Sequence, residues 1–318
     1  MSDRVLHRPT GRSGLGFALS FTTMALWGVL PLALKITLVS MDAYTITWYR
    51  FLACTLLLGA VLVYRRALPV ARTLPGQVWS LLGVATVFLG ANYVCYLLGL
   101  HLTTPANSQV LIQLAPVLLT LGGLWVFGER FTGRQWLGFV LLLAGLATFV
   151  RDQVHFAAGR AHEFYLGSLL MLVAAGAWAI YGLAQKQLLH WLPSPVIMVC
   201  IYAGCALLVS PLSTPGQVLH MGGLGLGMLA FSALNTLVAY GTFAEALAHS
   251  DASRVGAVLA LTPVTTIAAA RAASAVWPAL PITSTMSGAG FLGAGLVVVG
   301  ALVTALGGRS DDTPPPGS

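Results

Sequence analysis

Apolar and polar residues are grouped along this chain in long blocks, each on the scale of a whole helix. Runs of about 20 mainly apolar residues, the length of an α-helix that crosses a bilayer, recur from end to end. Ten such runs are predicted to be membrane spans. They cover residues 14–36, 44–64, 78–99, 106–127, 135–150, 166–189, 195–212, 222–247, 253–276 and 288–306. The pattern predicts an all-α, polytopic membrane protein with ten transmembrane helices.

Composition supports a chain that is surrounded by lipid. Hydrophobic residues make up 57% of the chain and charged residues only 8%, whereas roughly 25% of a soluble domain is charged. So few charges cannot cover the surface of a globule, and a soluble, disordered or disulfide-rich chain is excluded. The lipid bilayer is therefore a predicted partner.

The basic residues predict the orientation of the spans. Of the 16 lysines and arginines, eleven lie in segments on the side of the N-terminus, and two, Arg151 and Arg160, lie in segments on the other side. Because cytoplasmic segments carry an excess of positive charge, both termini are predicted in the cytoplasm and the protein in the inner membrane. Only Arg65 and Arg66 adjoin, so the net charge of +7 predicts no nucleic-acid partner.

A weak internal repeat relates the two halves of the chain. The aligned pairs are Trp27 with Trp178, Lys35 with Lys186, Tyr93 with Tyr240, Pro116 with Pro263, Gly138 with Gly293 and Gly145 with Gly300. Five spans per half is an odd number, so the halves must have opposite orientations, an arrangement typical of secondary transporters. The predicted organisation is a cytoplasmic tail over 1–13, a first five-helix repeat over 14–150, an outer loop over 151–165, a second five-helix repeat over 166–307 and a disordered cytoplasmic tail over 308–318.

Several motifs resemble the EamA-type family of the drug/metabolite transporter superfamily. The matching residues are Trp27, Pro31 and Lys35, the run Trp48-Tyr49-Arg50-Phe51, and a longer motif that joins Ala106, Leu114-Ala115-Pro116, Phe127-Gly128-Glu129-Arg130 and Gln135-Trp136-Leu137-Gly138. The resemblance covers residues 14–306. It implies two EamA-like repeats and the export of small metabolites across the cytoplasmic membrane.

Ionisable residues at membrane depth are costly and mark candidate functional sites. Arg50 lies well inside the second span, where its planar guanidinium can bind a substrate carboxylate, together with Lys35. The alternative for both residues, and for Arg271, is a snorkelling side chain whose charge reaches the headgroups. Glu245 is the candidate for proton coupling, and the alternative is an interfacial ion pair with Arg254.

Three prolines inside spans, Pro31, Pro116 and Pro263, predict helix kinks. Pro116 and Pro263 are aligned in the repeat, so paired kinks beside a central cavity are expected. Kinks that serve only packing are the alternative.

Polar and aromatic residues within the spans are candidates for the wall of that cavity. Gln109 and Gln113 share one helix face because they are four residues apart. Some of the aromatic residues are instead expected to be interfacial anchors. The candidate substrate-binding set is Trp27, Lys35, Arg50, Asn92, Tyr93, Tyr96, Gln109, Gln113, Trp178, Tyr181, Asn235 and Tyr240.

The sequence predicts a secondary transporter that exports small metabolites, amino acids or related organic compounds, by alternating access. The alternatives are an uncoupled facilitator or channel and a polytopic membrane enzyme. The sequence has no catalytic constellation of acidic residues or histidines and no phosphate-binding loop, so neither an enzyme nor use of ATP is favoured. No cofactor or metal is predicted, although Asp152, His155, His162 and Glu163 share the outer loop.

Overall fold

The computed structural model describes residues 13–66, 74–127, 132–157, 159–250, 252–280, 282 and 285–307. These ranges hold twelve α-helices and no strand. The helices are α1 (Ser13–Thr37), α2 (Ala43–Tyr64), α3 (Gly76–Leu102), α4 (Pro105–Leu111), α5 (Leu114–Phe127), α6 (Gly133–His155), α7 (Ala161–Leu188), α8 (Ser194–Val209), α9 (Gly223–His249), α10 (Ala252–Leu259), α11 (Thr262–Val276) and α12 (Gly288–Leu306). Residues 1–12 and 308–318 of the predicted tails and the Gly128-Glu129-Arg130 motif lie outside the described residues.

Nine of the predicted spans correspond to helical segments long and apolar enough to cross a membrane. The prediction of an all-α polytopic membrane protein is thereby confirmed. The predicted fourth span is divided into α4, of 7 residues, and α5, of 14 residues. Neither reaches the length of about 20 residues that a bilayer crossing needs. The count of ten spans therefore stays a prediction.

Polar side chains determine where several helices begin. Asp42 precedes α2, and its Oδ1 accepts hydrogen bonds from the backbone N–H groups of Tyr44 and Thr45 at 2.8 and 2.9 Å. Thr132 and Gln135 form a capping box at the start of α6. These contacts satisfy N–H groups that have no partner within the first turn of a helix.

A short connection joins the two halves. Helix α6 continues to His155 and α7 begins at Ala161, so both helices extend into the predicted loop over 151–165, and the division into domains stays a prediction. Asp152 in the last turn of α6 accepts a hydrogen bond from the Ser287 hydroxyl at the start of α12. Because such a polar side chain has a partner, the helix can continue beyond the point where the apolar run ends.

Helices α6 and α12 pack with their backbones in contact. A Cβ atom added to Gly145 would lie 2.6 Å from the backbone nitrogen of Val297. One added to Gly300 would lie 2.5 Å from the backbone nitrogen of Leu142. Only glycine permits so close an approach of two helices at these positions.

The other long contacts join helices of the two halves. Helix α1 packs along α9, α3 along α7, and α2 against α8. Helix α4 contacts α1, α3, α7 and α11, and every one of its residues is buried. Helix α4 therefore lies in the interior of the bundle.

A 3₁₀ segment between α8 and α9, Pro215–His220, lies across the start of α2. The Tyr49 hydroxyl donates to the Pro215 carbonyl at 2.9 Å, and the Thr214 N–H donates to Thr45 Oγ1 at 2.8 Å. The segment thus covers the N-terminal end of α2. Arg50 lies about two helical turns further along the same helix.

Candidate functional site

A glutamine of α4 completes the hydrogen bonding of α1 at Pro31. Because Pro31 has no N–H, the Trp27 carbonyl four residues earlier lacks its helical partner. Gln109 Nε2 donates to that carbonyl at 3.0 Å, and Gln109 Oε1 accepts from the Tyr96 hydroxyl at 3.4 Å. Three predicted cavity residues are thus brought together, but the Gln109 amide is already engaged in holding α1 and α4.

A similar contact links the break between α4 and α5 to the break between α10 and α11. Pro263 lies in the first turn of α11, so the Leu259 carbonyl has no helical N–H partner. The Thr262 hydroxyl donates to this carbonyl, and Gln113 Nε2 lies 3.5 Å from it. The predicted kinks at Pro116 and Pro263 coincide with the starts of α5 and α11, whereas Pro31 lies inside a continuous α1.

Arg50 is a buried guanidinium in the middle of this arrangement. Only 3% of its surface is exposed. Its Nε and Nη2 donate to Thr236 Oγ1 of α9 at 3.2 and 2.9 Å, and its Cζ lies 4.6 Å from the centroid of the Tyr93 ring. Within the described part of the chain, no carboxylate lies within 4.0 Å of it. A buried positive charge without an opposite charge is costly, and an anionic ligand would relieve that cost.

Aromatic side chains surround the polar groups beside Arg50. The Trp27 ring lies 5.5 Å from that of Tyr240 and 5.6 Å from that of Phe243, measured between centroids. Tyr93 belongs to a buried apolar cluster against which the side chains of Trp178 and Tyr240 pack. The repeat-related pairs Trp27 and Trp178, and Tyr93 and Tyr240, therefore belong to one cluster.

Two other candidates have hydrogen-bond partners on neighbouring helices. The Tyr181 hydroxyl donates to the Met198 sulfur of α8 at 3.3 Å. Asn92 Nδ2 donates to the Ala174 carbonyl at 2.8 Å and so joins α3 to α7. Both side chains contribute to helix packing.

Lys35 caps a helix. Its Nζ donates to the carbonyls of Leu100, His101 and Thr103, at 2.7, 2.9 and 2.7 Å, at the C-terminal end of α3. An ammonium group has three donors, and all three are used here. In this geometry Lys35 has no donor left for a substrate, and its role in substrate binding stays a prediction. The negative end of the α3 dipole stabilises the charge instead.

Glu245 does not lie in a buried site. Its side chain is 62% exposed, and its Oε1 lies 3.1 Å from Nε2 of His249 in the last turn of α9. This corrects the expectation of a buried carboxyl that carries a proton. Proton coupling through Glu245 stays a prediction, with no burial to support it.

Sequence reasoning missed Thr236, which holds Arg50, and Phe51, whose ring lies 4.5 Å from that of Tyr93. Threonine and phenylalanine are common in apolar runs, so neither carries a signal of its own. The internal repeat did not point to these two residues either, because Arg50 has no aligned arginine in the second half.

The described residues contain no group of three or more His, Cys, Asp or Glu side chains that could hold a metal ion. Asp152 at the end of α6 is bonded to Ser287, and Glu163 at the start of α7 pairs with Arg160. These partners account for two of the acidic residues that the sequence places together in the predicted outer loop.

A bundle of apolar helices with a buried, polar and partly charged centre defines a multi-pass membrane transporter. The model of the EamA-like transporter family matches residues 14–151 and again residues 165–306. The chain belongs to this family, which confirms the resemblance seen in its motifs. Membership of a transporter family also decides against the membrane enzyme.

Several relatives share nearly the full length of the chain. It is 36% identical over 299 residues to the uncharacterized inner membrane transporter YhbE of Escherichia coli (strain K12), covering 94% of this chain and 93% of that one. It is 34% identical over 293 residues to an uncharacterized transporter of Haemophilus influenzae, covering 92% and 95%. A probable amino-acid metabolite efflux pump of Escherichia coli (strain K12) is 24% identical over 306 residues, covering 92% and 95%.

One solved crystal structure has the same fold. Its TM-score is 0.62 at 21% sequence identity, over 95% of this chain and 99% of that one.

Proposed function

We propose that this protein is a secondary transporter of the inner membrane that exports small carboxylate-bearing metabolites, amino acids or related compounds, by alternating access. In this proposal both termini are cytoplasmic, and α4–α5 together form the tenth span. Two five-helix repeats of opposite orientation enclose the substrate.

Arg50 carries the proposal. Its guanidinium is buried, it is oriented by Thr236 and Tyr93, and it lacks an opposite charge among the described residues. A substrate carboxylate can supply that charge through two parallel hydrogen bonds. The aromatic cluster beside it provides apolar surface for the rest of a small organic molecule.

The helix contacts support an inverted repeat. In the predicted alignment α1 corresponds to α7 and α3 to α9, so the contact of α1 with α9 corresponds to that of α7 with α3. The contact of α1 with α11 likewise corresponds to that of α7 with α5. The pairs α2–α8 and α6–α12 each correspond to themselves, as expected for a pseudo-two-fold axis.

Close approaches at glycine follow the same relation. A Cβ added to Gly16 would lie 2.0 Å from Ser250 Oγ, and one added to Gly167 would lie 2.6 Å from Thr103 Cγ2. Gly16 aligns with Gly167 and Ser250 with Thr103. The two matches of the family model, one in each half, also support the repeat.

Two names among the relatives support the location and the direction of transport. One relative is named an inner membrane transporter and another an efflux pump for amino-acid metabolites. The charge bias of the connections agrees with cytoplasmic termini.

The test is counterflow in proteoliposomes that contain the purified protein. Liposomes loaded with unlabelled amino acids and other organic acids are diluted into traces of the labelled compounds. Transient accumulation of label above equilibrium is expected for a carrier. Simple equilibration would favour a facilitator or channel, and no movement of any carboxylate would contradict the proposal. Sensitivity of net transport to a protonophore then tests coupling to protons.

A further inference from the structure

We infer that Asn235 is a specificity-determining residue of this site, whose side-chain oxygen accepts a hydrogen bond from a donor adjacent to the substrate carboxylate. The inference rests on the proposed function, because it assumes a carboxylate at Arg50. It narrows the cargo to carboxylates that carry an amino or hydroxyl group on the neighbouring carbon.

The amide of Asn235 is held in one orientation by α1. The residue is 2% exposed, and its Nδ2 donates to the Leu26 carbonyl at 2.8 Å. That bond assigns the nitrogen to the α1 side and the oxygen to the opposite side. Oδ1 is fully buried and has no hydrogen-bond partner. Native proteins rarely leave a buried acceptor unpaired, so each such atom needs an explanation.

The unpaired oxygen lies on the same buried face of α9 as the threonine that holds Arg50. Asn235 and Thr236 are 2% and 1% exposed. Their side chains are turned apart along the helix, Asn235 toward Leu26 of α1 and Thr236 toward Arg50 of α2. The anchor of Asn235, Leu26, precedes Trp27, whose ring packs on Tyr240. One short segment of α9 therefore carries both Thr236, which holds Arg50, and the unpaired side-chain oxygen of Asn235.

The chemistry of the site favours a protonated amine as the donor. The described carboxylates Asp42, Asp152, Glu163 and Glu245 are each bonded elsewhere, so an ammonium group here would depend on neutral acceptors. The faces of Trp27 and Tyr240 attract a cation, whereas a hydroxyl gains little from them. An α-amino acid satisfies the guanidinium and the amide oxygen at once.

The experiment compares ligands of identical carbon skeleton on the full-length protein purified in detergent. For the skeletons of alanine, leucine and phenylalanine, the amino acid, the 2-hydroxy acid, the unsubstituted acid and the amino-acid amide are titrated, and thermal stabilisation reports binding. For the skeleton that binds, the amino acid is expected to bind at least about tenfold more tightly than the unsubstituted acid, the effect of one buried hydrogen bond. The 2-hydroxy acid is expected to fall between them.

The variants separate the two roles. Asn235→Leu is expected to abolish the preference for the amino acid while the unsubstituted acid still binds, whereas Arg50→Ala should lose every carboxylate. Asn235→Ser, which retains a small acceptor, covers the case in which the leucine variant fails to fold and should keep part of the preference. Asn107→Leu is the matched control, since Asn107 Oδ1 is also buried and unpaired but its Nδ2 is bonded to Ser168; it should keep the full preference.

Equal binding of the unsubstituted acid and the amino acid would overturn the inference and leave the carboxylate site intact. An unchanged preference in both Asn235 variants would overturn it as well. Binding of the amino-acid amide in place of the acids would instead contradict the proposed function itself.

Discussion

The guanidinium of Arg50 lies over the ring of Tyr93, with Cζ 4.6 Å from the ring centroid. The stacking orients the plane of the guanidinium, and Thr236 holds the Nε and Nη2 atoms on one edge. The opposite edge keeps donors for a planar anion.

Replacement of Arg50 is expected to stop carboxylate transport. Loss of one partner of a buried charge-assisted hydrogen bond costs roughly 2–5 kcal/mol, so Arg50→Ala should reduce counterflow by well over about tenfold. Arg50→Lys should recover only part of it, because an ammonium group cannot form two parallel bonds.

Arg271→Ala is the control for that loss. Arg271 also lies in a span and stacks on an aromatic ring, with Cζ 4.5 Å from the Phe291 centroid, but its side chain is exposed. Counterflow should stay within about twofold of the unmodified protein, since exposed cation–π pairs contribute only about 0.5–1 kcal/mol. Equal losses in both variants would show that Arg50 acts through stability alone.

The contact of Gln109 with the Trp27 carbonyl predicts a rescue. Gln109→Leu should destabilise the protein by about 1–3 kcal/mol, because the carbonyl that Pro31 leaves free becomes unpaired. In the double variant with Pro31→Ala, the new backbone N–H can bond to that carbonyl, so the added cost of Gln109→Leu should be smaller. A double-mutant cycle of unfolding in detergent measures the difference. Strictly additive effects would show that the two residues are independent.

Lys35 should matter for stability and not for substrate choice. Lys35→Met keeps most of the apolar part of the side chain and removes three hydrogen bonds to the end of α3, at an expected cost of about 2 kcal/mol or more. The melting temperature should fall, while the ranking of competing substrates in counterflow stays the same. A changed ranking of the substrates with an unchanged melting temperature would indicate that Lys35 belongs to the substrate site.

The contact of α6 with α12 should be intolerant of the smallest side chain. Gly145→Ala places a Cβ 2.6 Å from the backbone nitrogen of Val297, so the helices must separate, and a sharp loss of folded protein in size-exclusion chromatography is expected. Gly295→Ala, on α12 with no atom within 4 Å of its added Cβ, should be neutral or slightly stabilising. Similar yields from both would mean that this contact is looser than described.

Glu245→Gln tests the predicted proton coupling. The substitution removes the proton that this side chain can exchange, so coupling through Glu245 predicts a loss of protonophore sensitivity, although the carboxylate is exposed and lies 3.1 Å from Nε2 of His249. Transport driven by an imposed pH gradient in proteoliposomes measures the effect. Loss of the gradient-driven component alone, with counterflow preserved, would establish Glu245 as the coupling residue.

Apolar length was sufficient to predict most of the helices. Hydropathy along the chain indicates which residues lie within the membrane, and this is sufficient to locate a span. It does not detect the division of α4 from α5, because the interruption is only two residues long, Ile112 and Gln113, within a run that is apolar on average. Only the proline at 116 signalled it.

The candidate site was predicted by residue type and corrected by partners distant in sequence. Arg50 was singled out because a charge at that depth is costly, and the structure supports that reasoning. Lys35 satisfied the same criterion, but its partners at the end of α3 lie more than sixty residues away in the chain. Sequence alone does not show which helix end a lysine will reach.

The glycine contacts between α6 and α12 also limit how the molecule can move. Two backbones that touch at Gly145 and Gly300 cannot come closer, and drawing them apart would open a void with nothing to fill it. In the proposed alternating-access cycle, α6 and α12 are therefore expected to move together as one unit, while other helices change position relative to them.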